Sequence, residues 1–250
     1  MHNYIAVTIG DIKGIGIHIL IDIWKQNKFK NFILFSNHSI IDKFLKNHKY
    51  KIKINNIDFI KKDLNFKKNY LNIYSYKVKS NEDNTYKSLE KAYNICKNGH
   101  CIGIITLPLR KDLIIKKINK KFIGQTEFFQ RKDNKKFSNM ILYHRDIIIS
   151  PITTHIPINK VSKKLSNQNF LFTQIINLQN TLKRDFKIDK PKIIIAGINP
   201  HAGENGKIGT EEKKIIIPTI KKLQKNGINI FGPFSADSVL IKKNIKKYDC

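Results

Sequence analysis

A histidine with unusual neighbours follows an apolar run in the second half of the chain. Ile193–Ala196 leads into GINPHAGENGKIGTEE, so that His201 comes directly after Pro200 and ahead of a glycine-rich stretch. A strand that ends here places the imidazole at the carboxyl edge of a parallel sheet, where open α/β proteins bind ligands. Pro200 fixes the local backbone, and the glycines let backbone N–H groups approach an anion. The alternative is a strand-to-helix turn with an exposed histidine, but the polar neighbours favour a functional role.

A second histidine occupies a comparable place in SPITTHIPINKV. His155 also follows the end of a β-branched run and precedes a proline and a predicted helix. Because neutral imidazole is a good ligand for zinc and similar ions, the two histidines together indicate a divalent-metal site. Two ligands leave such a site incomplete, since a tight site has three or more protein ligands. His144, in LYHRD, is interpreted instead as a hairpin-turn residue.

Polar residues also follow the predicted strand that ends in ITLPLRK. Arg110 and Lys111 come just after it, and FIGQTEFF follows further along the chain. Gln125 and Thr126 are candidates for holding the hydroxyl and phosphate groups of a substrate. The alternative is structural: Thr126 caps the helix that begins there and does nothing else.

The N-terminal stretch TIGDIKGIGIHIL has the order strand, glycines, helix. It lacks the G-x-G-x-x-G spacing of a dinucleotide-binding turn, and NFILFSN, the next predicted strand, does not end in an acidic residue. The sequence therefore does not support a Rossmann-type cofactor site at this position.

Apolar β-branched runs alternate with helical patterns along the whole chain. This alternation predicts an α/β protein with a largely parallel sheet covered on both faces. An antiparallel hairpin around HRD makes the predicted sheet mixed, and a soft boundary near Gly124 divides the chain into lobes 1–124 and 125–250. The predicted strands are 4–9, 31–35, 71–76, 102–106, 140–143, 147–151, 192–197 and 228–231; the predicted helices are 15–25, 39–47, 84–97, 112–118, 126–132, 159–186 with an interruption, 210–226 and 237–247.

The composition is strongly basic, with 47 Lys and Arg against 19 Asp and Glu in 250 residues, a formal charge of +28. The lysines are scattered over predicted helix faces and loops, so we interpret them as a solvated surface and expect no nucleic-acid partner. We expect no membrane span and no signal peptide, because no long uncharged apolar run and no basic-apolar-small N-terminal layout occurs. The three cysteines are not spaced like metal ligands and do not indicate a disulfide framework. We therefore expect a protein of the reducing cytoplasm.

Together, these stretches resemble the 4-hydroxythreonine-4-phosphate dehydrogenase family of vitamin B6 biosynthesis. The likeness covers essentially the whole chain, in the family's order and at about its spacing. It is carried by TIGDIKGIG, TLPLRK…FIGQTEFF, TTHIPINKV, GINPHAGENGKIGTEE and GPFSADS. The run NPHAGE-x-G-x-x-G-x-EE is its most specific part.

The resemblance implies a two-lobed α/β/α subunit, similar to isocitrate and isopropylmalate dehydrogenases, that forms a cytoplasmic homodimer with the active site at the interface. It implies oxidation of the C3 hydroxyl of 4-phosphohydroxy-L-threonine with NAD or NADP, assisted by a divalent metal (zinc, magnesium or cobalt) that polarises this hydroxyl. The 3-oxo acid formed then loses carbon dioxide. His155 and His201 match two of the family's three metal-binding histidines, and Thr126 matches a substrate-binding threonine. The second lobe, 125–250, is then expected to hold the metal histidines and the dimer interface.

The sequence departs from the family pattern at several places. Gln125 stands where the family has a substrate-binding histidine, and glutamine donates a hydrogen bond but carries no charge. Ile12 stands in place of a proline, and Ile17-His18 in place of proline and an acidic residue. The family continues with a YHDQG-type segment that carries the third metal histidine, further substrate residues and the return of the chain to the first lobe. No such segment is present in the sequence, so we expect a truncated, poorly active or inactive chain.

Three alternatives remain open at this stage. A sister dehydrogenase of phosphorylated four-carbon sugar acids fits the altered substrate residue Gln125. A non-catalytic remnant that binds metal or phosphate fits the incomplete ligand set. A nucleic-acid-binding protein built on an enzyme scaffold is suggested by the charge alone.

Overall fold

The computed structural model describes residues 4–58, 65–145 and 147–250, which form two compact units, Met1–Lys136 and Phe137–Cys250. The sequence placed the boundary after Gly124. The difference arises because the helix that follows Gly124 packs through Phe128 against Leu89, Ile114 and Phe122 of the first unit. This buried cluster keeps the helix with the first unit.

The first unit is built on a five-stranded parallel sheet in the order β3-β4-β2-β1-β5. Its strands are β1 (Ile5–Thr8), β2 (Phe32–Phe35), β3 (Ile54–Asn56), β4 (Leu71–Tyr74) and β5 (Gly103–Thr106). Its helices are α1 (Ile15–Lys25), α2 (His38–Asn47), α3 (Asn81–Lys97), α4 (Lys111–Lys117) and α5 (Gln125–Lys132).

Helices cover both faces of this sheet, because alternate side chains of each strand point to opposite faces. On one face, Val7 and Leu34 pack against the buried side of α1 and α2. On the other face, Ile33 and Phe35 pack against α3 through Ala92. Ser80 caps the N-terminus of α3, because its hydroxyl accepts a hydrogen bond from the N–H of Asp83 at 3.1 Å.

The second unit has two separate pairs of strands. Strands β6 (Leu142–His144) and β7 (Ile147–Ile149) form an antiparallel hairpin, whereas β8 (Ile193–Ala196) and β9 (Ile230–Phe234) are parallel. The helices are α6 (Val161–Leu165), α7 (Gln168–Asp185), α8 (Ile217–Lys225), α9 (Ala236–Val239) and α10 (Lys242–Ile245), with a 3-10 turn at Ile158–Lys160.

The core of the second unit follows the helical period of α7. Its buried residues Leu171, Ile175, Leu178 and Leu182 recur every three or four positions and pack with the apolar residues of α8, β8 and β9. A π-helical turn, Glu212–Ile216, precedes α8. Pro218 follows this turn. Because proline has no N–H, it cannot donate a helical hydrogen bond to the turn before it, which is consistent with the wider π-helical hydrogen-bond pattern there.

The predicted α/β class is confirmed, and so are the mostly parallel strands and the antiparallel hairpin. The predicted interruption of helix 159–186 is also observed, between Leu165 and Gln168. One prediction is wrong, because the helix predicted over 237–247 is two short helices, α9 and α10. Strand β3 was not predicted. No helix in the described part of the chain combines the length and apolar character needed to cross a bilayer.

Candidate functional site

A buried carboxylate organises the segment that carries His201. Glu212 is only 3% exposed. Its Oε1 atom accepts hydrogen bonds from the backbone N–H groups of Ile198 and Asn199, both at 2.8 Å, and its Oε2 atom accepts one from the Asn199 amide at 2.9 Å. Burial raises the pKa of Glu212, but these hydrogen bonds outweigh burial and leave the pKa below its usual value. The ionised carboxylate thus ties the exit of β8 to the start of the next helix.

The histidine itself lies in a left-handed turn. Five consecutive residues, from His201 to Asn205, have φ between 41° and 78°. Left-handed backbone is unfavourable for residues with a Cβ, and such strain clusters at functional sites. Gly203 is the position where a side chain has no room, because a Cβ there would lie 2.7 Å from Glu212 Oε2. The fold therefore holds the exposed His201 in a defined, strained conformation.

An acidic residue that the sequence analysis did not single out lies beside His201. Asp237 follows β9, one strand away from the exit of β8, and its Oδ1 accepts a hydrogen bond from the Ser235 hydroxyl at 2.8 Å. This hydrogen bond lowers the pKa of Asp237, and the proximity of His201 lowers it further. The signal was present in GPFSADS, since polar residues at the exit of a strand next to the His201 strand meet at the same edge.

His155 lies in the same unit and is also exposed with a positive φ, 56°. In the helix that follows His155, Ser162 is one of the groups that lower the pKa of the Glu211 carboxyl. The Asn199 amide also donates to Glu211, at 2.9 Å, and these bonds hold the pKa of Glu211 below its usual value. Convergence of His155 and His201 on one site therefore stays a prediction.

The donor chemistry fits a divalent ion in part. Two imidazoles and the Asp237 carboxylate are suitable ligand types. Within residues 4–58, 65–145 and 147–250, however, no three His, Cys, Asp or Glu side chains are grouped closely enough to hold a metal. The assignment of His155 and His201 as metal ligands therefore stays a prediction.

A polar cavity of about 170 Å³ opens at the carboxyl edge of the first unit's sheet. Its lining includes Asp11 and Lys13 after β1, Thr85 at the start of α3, and Arg110 after β5. The strand order changes direction at β1, with β2 on one side and β5 on the other. Ligands of open α/β sheets bind at this kind of switch point.

The two predicted substrate residues begin α5, close to the exit of β5. The Gln125 amide donates a hydrogen bond to the carbonyl of Leu107 at 3.1 Å. Thr126 is exposed in the first turn, and the helix is preceded by Gly124 without a side-chain cap. The capping role considered for Thr126 is therefore wrong, because the helix begins one residue earlier. The assignment of Gln125 and Thr126 as substrate-binding residues stays a prediction.

The N-terminal glycine turn has a packing role. Gly10 has a φ of 63°, and a Cβ there would collide with the carbonyl of Pro108. The N–H of Asp11 donates to the same carbonyl at 2.8 Å. The glycine thus lets the loop after β1 approach the loop after β5, which closes one side of the cavity.

Comparison with known proteins gives a consistent result. The family model described as "Pyridoxal phosphate biosynthetic protein PdxA" matches residues 28–250. A 4-hydroxythreonine-4-phosphate dehydrogenase from Wigglesworthia glossinidia brevipalpis is 34% identical over 258 residues, covering 98% of this chain and 76% of its own length. A Bradyrhizobium diazoefficiens protein, provisionally named a D-threonate 4-phosphate dehydrogenase, is 32% identical over 164 residues, covering 66% of this chain and 47% of its own.

A solved structure agrees with these sequence relatives. The crystal structure of 4-hydroxythreonine-4-phosphate dehydrogenase from Klebsiella pneumoniae superposes with a TM-score of 0.86 at 25% identity, covering 99% of this chain and 79% of that protein. The family match extends over most of the chain, and the chain therefore belongs to the PdxA family of pyridoxal phosphate biosynthetic proteins.

Proposed function

We propose that this chain is an NAD-dependent dehydrogenase of 4-phosphohydroxy-L-threonine in pyridoxal phosphate biosynthesis, with NADP as the other possible cofactor. The C3 hydroxyl is oxidised to give 2-amino-3-oxo-4-phosphooxybutanoate, which loses carbon dioxide to form 3-amino-2-oxopropyl phosphate. The observation that supports this most is the His201 segment, in which a buried carboxylate fixes a strained turn at the exit of β8.

Specific residues are assigned to parts of this reaction. His155 and His201 supply two ligands to a divalent ion (zinc, magnesium or cobalt). When bound, such an ion supplies Lewis-acid polarisation of a hydroxyl and of the ketone formed from it. Gln125 and Thr126 hold the substrate, and the cationic side chains Lys13 and Arg110 of the switch-point cavity attract its phosphate. The proposal includes a cytoplasmic homodimer with the active site at the interface.

A second candidate substrate class is a phosphorylated four-carbon sugar acid such as threonate or erythronate 4-phosphate. It is favoured by the Bradyrhizobium relative, whose provisional name refers to D-threonate 4-phosphate. Gln125 is consistent with this alternative, since an uncharged amide replaces the family's histidine and changes the substrate contacts.

The test compares NADH formation from 4-phosphohydroxy-L-threonine and from D-threonate 4-phosphate with each metal ion present. Any turnover of the amino acid phosphate should decrease about tenfold or more in His155→Ala and His201→Ala. Binding of Co²⁺, followed by its visible absorption, should weaken in the same two variants. His144→Ala is the matched control, because His144 is exposed in the same unit but lies on the β6–β7 hairpin.

The outcomes separate the parts of the proposal. Preference for D-threonate 4-phosphate would replace the first substrate by the second. Equal Co²⁺ affinity in all three histidine variants would refute the ligand assignment. Absence of turnover with retained, His201-dependent Co²⁺ binding would refute the proposed activity and support a metal-binding remnant.

A further inference from the structure

Two cysteines of the first unit pack side by side, away from the residues assigned to the dehydrogenase reaction. Cys96 lies in the last turn of α3, and Cys101 comes just before β5. Both belong to the apolar cluster between α3 and the sheet, together with Ala6 and Ala92. Cys96 is half-buried, whereas Cys101 is only 5% exposed.

A tight turn joins the two cysteines. The N–H of Gly99 donates to the carbonyl of Cys96 at 3.0 Å, and the N–H of His100 donates to the carbonyl of Ile95 at 3.1 Å. These bonds, with a φ of 77° at Gly99, form the Schellman ending of a helix. The turn keeps Cys101 next to the end of the helix that carries Cys96.

The sulfur of Cys96 reaches the strand that Cys101 precedes. The Cys96 thiol donates a hydrogen bond to the carbonyl of Gly103, the first residue of β5, with a sulfur-to-oxygen distance of 3.4 Å. Gly103 follows closely after Cys101 in the chain. The two side chains therefore meet at the start of β5, and such an approach is a condition for a disulfide.

The two thiols shift each other's ionisation in opposite directions. Hydrogen bonding by the Cys101 thiol lowers the pKa of Cys96 and outweighs burial, which raises it. Hydrogen bonding to Cys96, together with burial, raises the pKa of Cys101. Because the C-terminal end of a helix disfavours an anion, the lowered pKa of Cys96 depends on Cys101. Cys96 is therefore the more nucleophilic thiol, since the thiolate is the reactive form.

The third cysteine provides a comparison within the same chain. Burial raises the pKa of the Cys250 thiol to about 11. A thiol with a raised pKa contains little thiolate near neutral pH and reacts slowly. Cys250 belongs to the second unit, so its reactivity reports on a thiol outside the Cys96–Cys101 pair.

We propose that Cys96 and Cys101 form a reversible disulfide when the chain meets hydrogen peroxide. The Cys96 thiolate attacks one peroxide oxygen, the O–O bond breaks, and Cys96 becomes a sulfenic acid while the other oxygen leaves as hydroxide and is protonated to water. The Cys101 sulfur then attacks the sulfenic sulfur. An S–S bond forms, and the sulfenic hydroxyl leaves as water with the Cys101 proton. Two thiols and one hydrogen peroxide thus give one disulfide and two molecules of water.

The pair has a specific consequence for the chain. A sulfenic acid that is not consumed can be oxidised further to the irreversible sulfinic acid. Cys101 lies close enough to Cys96 to consume the sulfenic acid first, and a dithiol then reduces the disulfide by exchange. Transient disulfides of this kind are the redox-responsive ones found in reducing compartments.

The test exposes the full native chain to hydrogen peroxide, blocks the remaining thiols with N-ethylmaleimide in urea, and digests the chain with trypsin. Trypsin cleaves after Lys97, so that Cys96 and Cys101 fall in the separate peptides 92–97 and 98–110 unless a disulfide joins them. We expect mass spectrometry to find the linked pair and dithiothreitol to separate it. Cys250 should be recovered with N-ethylmaleimide attached, and a non-reducing gel should show no dimer.

Variants assign the role of each thiol. In Cys101→Ser and Cys101→Ala the reaction should stop at the sulfenic acid of Cys96, which dimedone traps. The serine hydroxyl still donates a hydrogen bond and alanine does not, so Cys96 should react up to about tenfold more slowly in Cys101→Ala. Cys250→Ser is the matched control and should oxidise like the unsubstituted chain. Fluorescence of the single tryptophan, Trp24, checks that each variant is folded.

Three outcomes would overturn the proposal. The first is a native chain that gives no linked pair of peptides. The second is a disulfide that joins Cys96 to Cys250 or to a second copy of the chain. The third is a Cys96→Ser variant whose Cys101 forms a sulfenic acid as fast as Cys96 does in Cys101→Ser.

Discussion

The two units use similar apolar strands with different results. In the first unit, all four residues of β2, Phe32–Phe35, are at most 1% exposed. In the second unit, β8 has the comparable sequence IIIA, but its burial decreases from Ile193 at 2% exposed to an exposed Ala196. Strand β2 has a neighbour along each edge, β1 and β4. Among the described residues, β8 pairs with β9 along one edge and with Asp249 and Cys250 at the start of the other.

This difference shows what an apolar run can and cannot indicate. The run predicts that a segment is suited to the interior of a sheet, but burial depends on whether both edges are paired. In the second unit the described residues satisfy one edge of β8 and leave part of the other open. The first unit therefore has the more complete core, and its strands should be more sensitive to loss of apolar volume.

The largest expected effect tests this contrast directly. Ile33→Ala in β2 removes a fully buried side chain, and should lower the free energy of unfolding by about 2–5 kcal/mol. Ile194→Ala in β8 should cost only about 1 kcal/mol, because that side chain is partly exposed. Urea unfolding followed by the single tryptophan, Trp24, reports the first unit, and amide exchange in β8 reports the second.

A further measurement sharpens this prediction. Ile33→Val should cost about 0.5–1.5 kcal/mol, which separates lost volume from a general disturbance of the sheet. Equal costs for Ile33→Ala and Ile194→Ala in the free chain would contradict the comparison.

The next effect concerns the carboxylate that organises the His201 segment. Glu212→Ala removes the acceptor for two backbone N–H groups and for the Asn199 amide. Leaving these part-buried donors unpaired should cost the second unit about 1–3 kcal/mol at neutral pH. Glu212→Gln should also destabilise, since its amide turns a donor toward groups that already donate. Glu204→Gln, an exposed change in the same turn, should have little effect.

The same carboxylate gives a pH dependence whose direction follows from its pKa. The folded-state pKa of Glu212 is lower than the unfolded value, so its contribution is complete above the unfolded pKa and is lost as the pH falls through the folded one. The unfolded value of a glutamate is about 4.3, so stability of the second unit should decrease as the pH is lowered below about 4. Glu212→Gln should flatten this decrease, as measured by amide exchange or urea unfolding at several pH values.

The sequence was informative where the signal was local. Glycines, prolines and β-branched runs were enough to identify the β8 exit, the hairpin and the interrupted helix before α7. Strand β3 was missed because two of its three residues, Asn55 and Asn56, have low strand propensity. Its pairing is supported by tertiary contacts instead, including a buried hydrogen bond of 2.8 Å from the Asn55 amide to the Asn72 side chain.

The sequence predicted residues of the candidate site but not the hydrogen bonds and the backbone conformation that hold them in place. His201 was found from its position after an apolar run. The role of Glu212 was not, because it depends on hydrogen bonds that span 13 or 14 residues. The left-handed conformation of Ala202 could not be inferred either. A positive φ is uncommon for a residue with a Cβ, so nothing in the local sequence indicates it.

The smallest expected effect tests that left-handed turn. An alanine-to-glycine substitution should change stability in opposite directions in the two units. Ala202 has a φ of 52°, a conformation that costs an L-residue with a Cβ about 1–2 kcal/mol and costs glycine little. Ala202→Gly should therefore stabilise the second unit by up to about 1 kcal/mol, after allowance for the greater freedom of glycine in the unfolded chain. Ala92→Gly, in the interior of α3, should destabilise the first unit by about 1 kcal/mol or more. If both substitutions destabilise equally in urea unfolding and amide exchange, the turn is not strained, and the rigid presentation of His201 loses its physical basis.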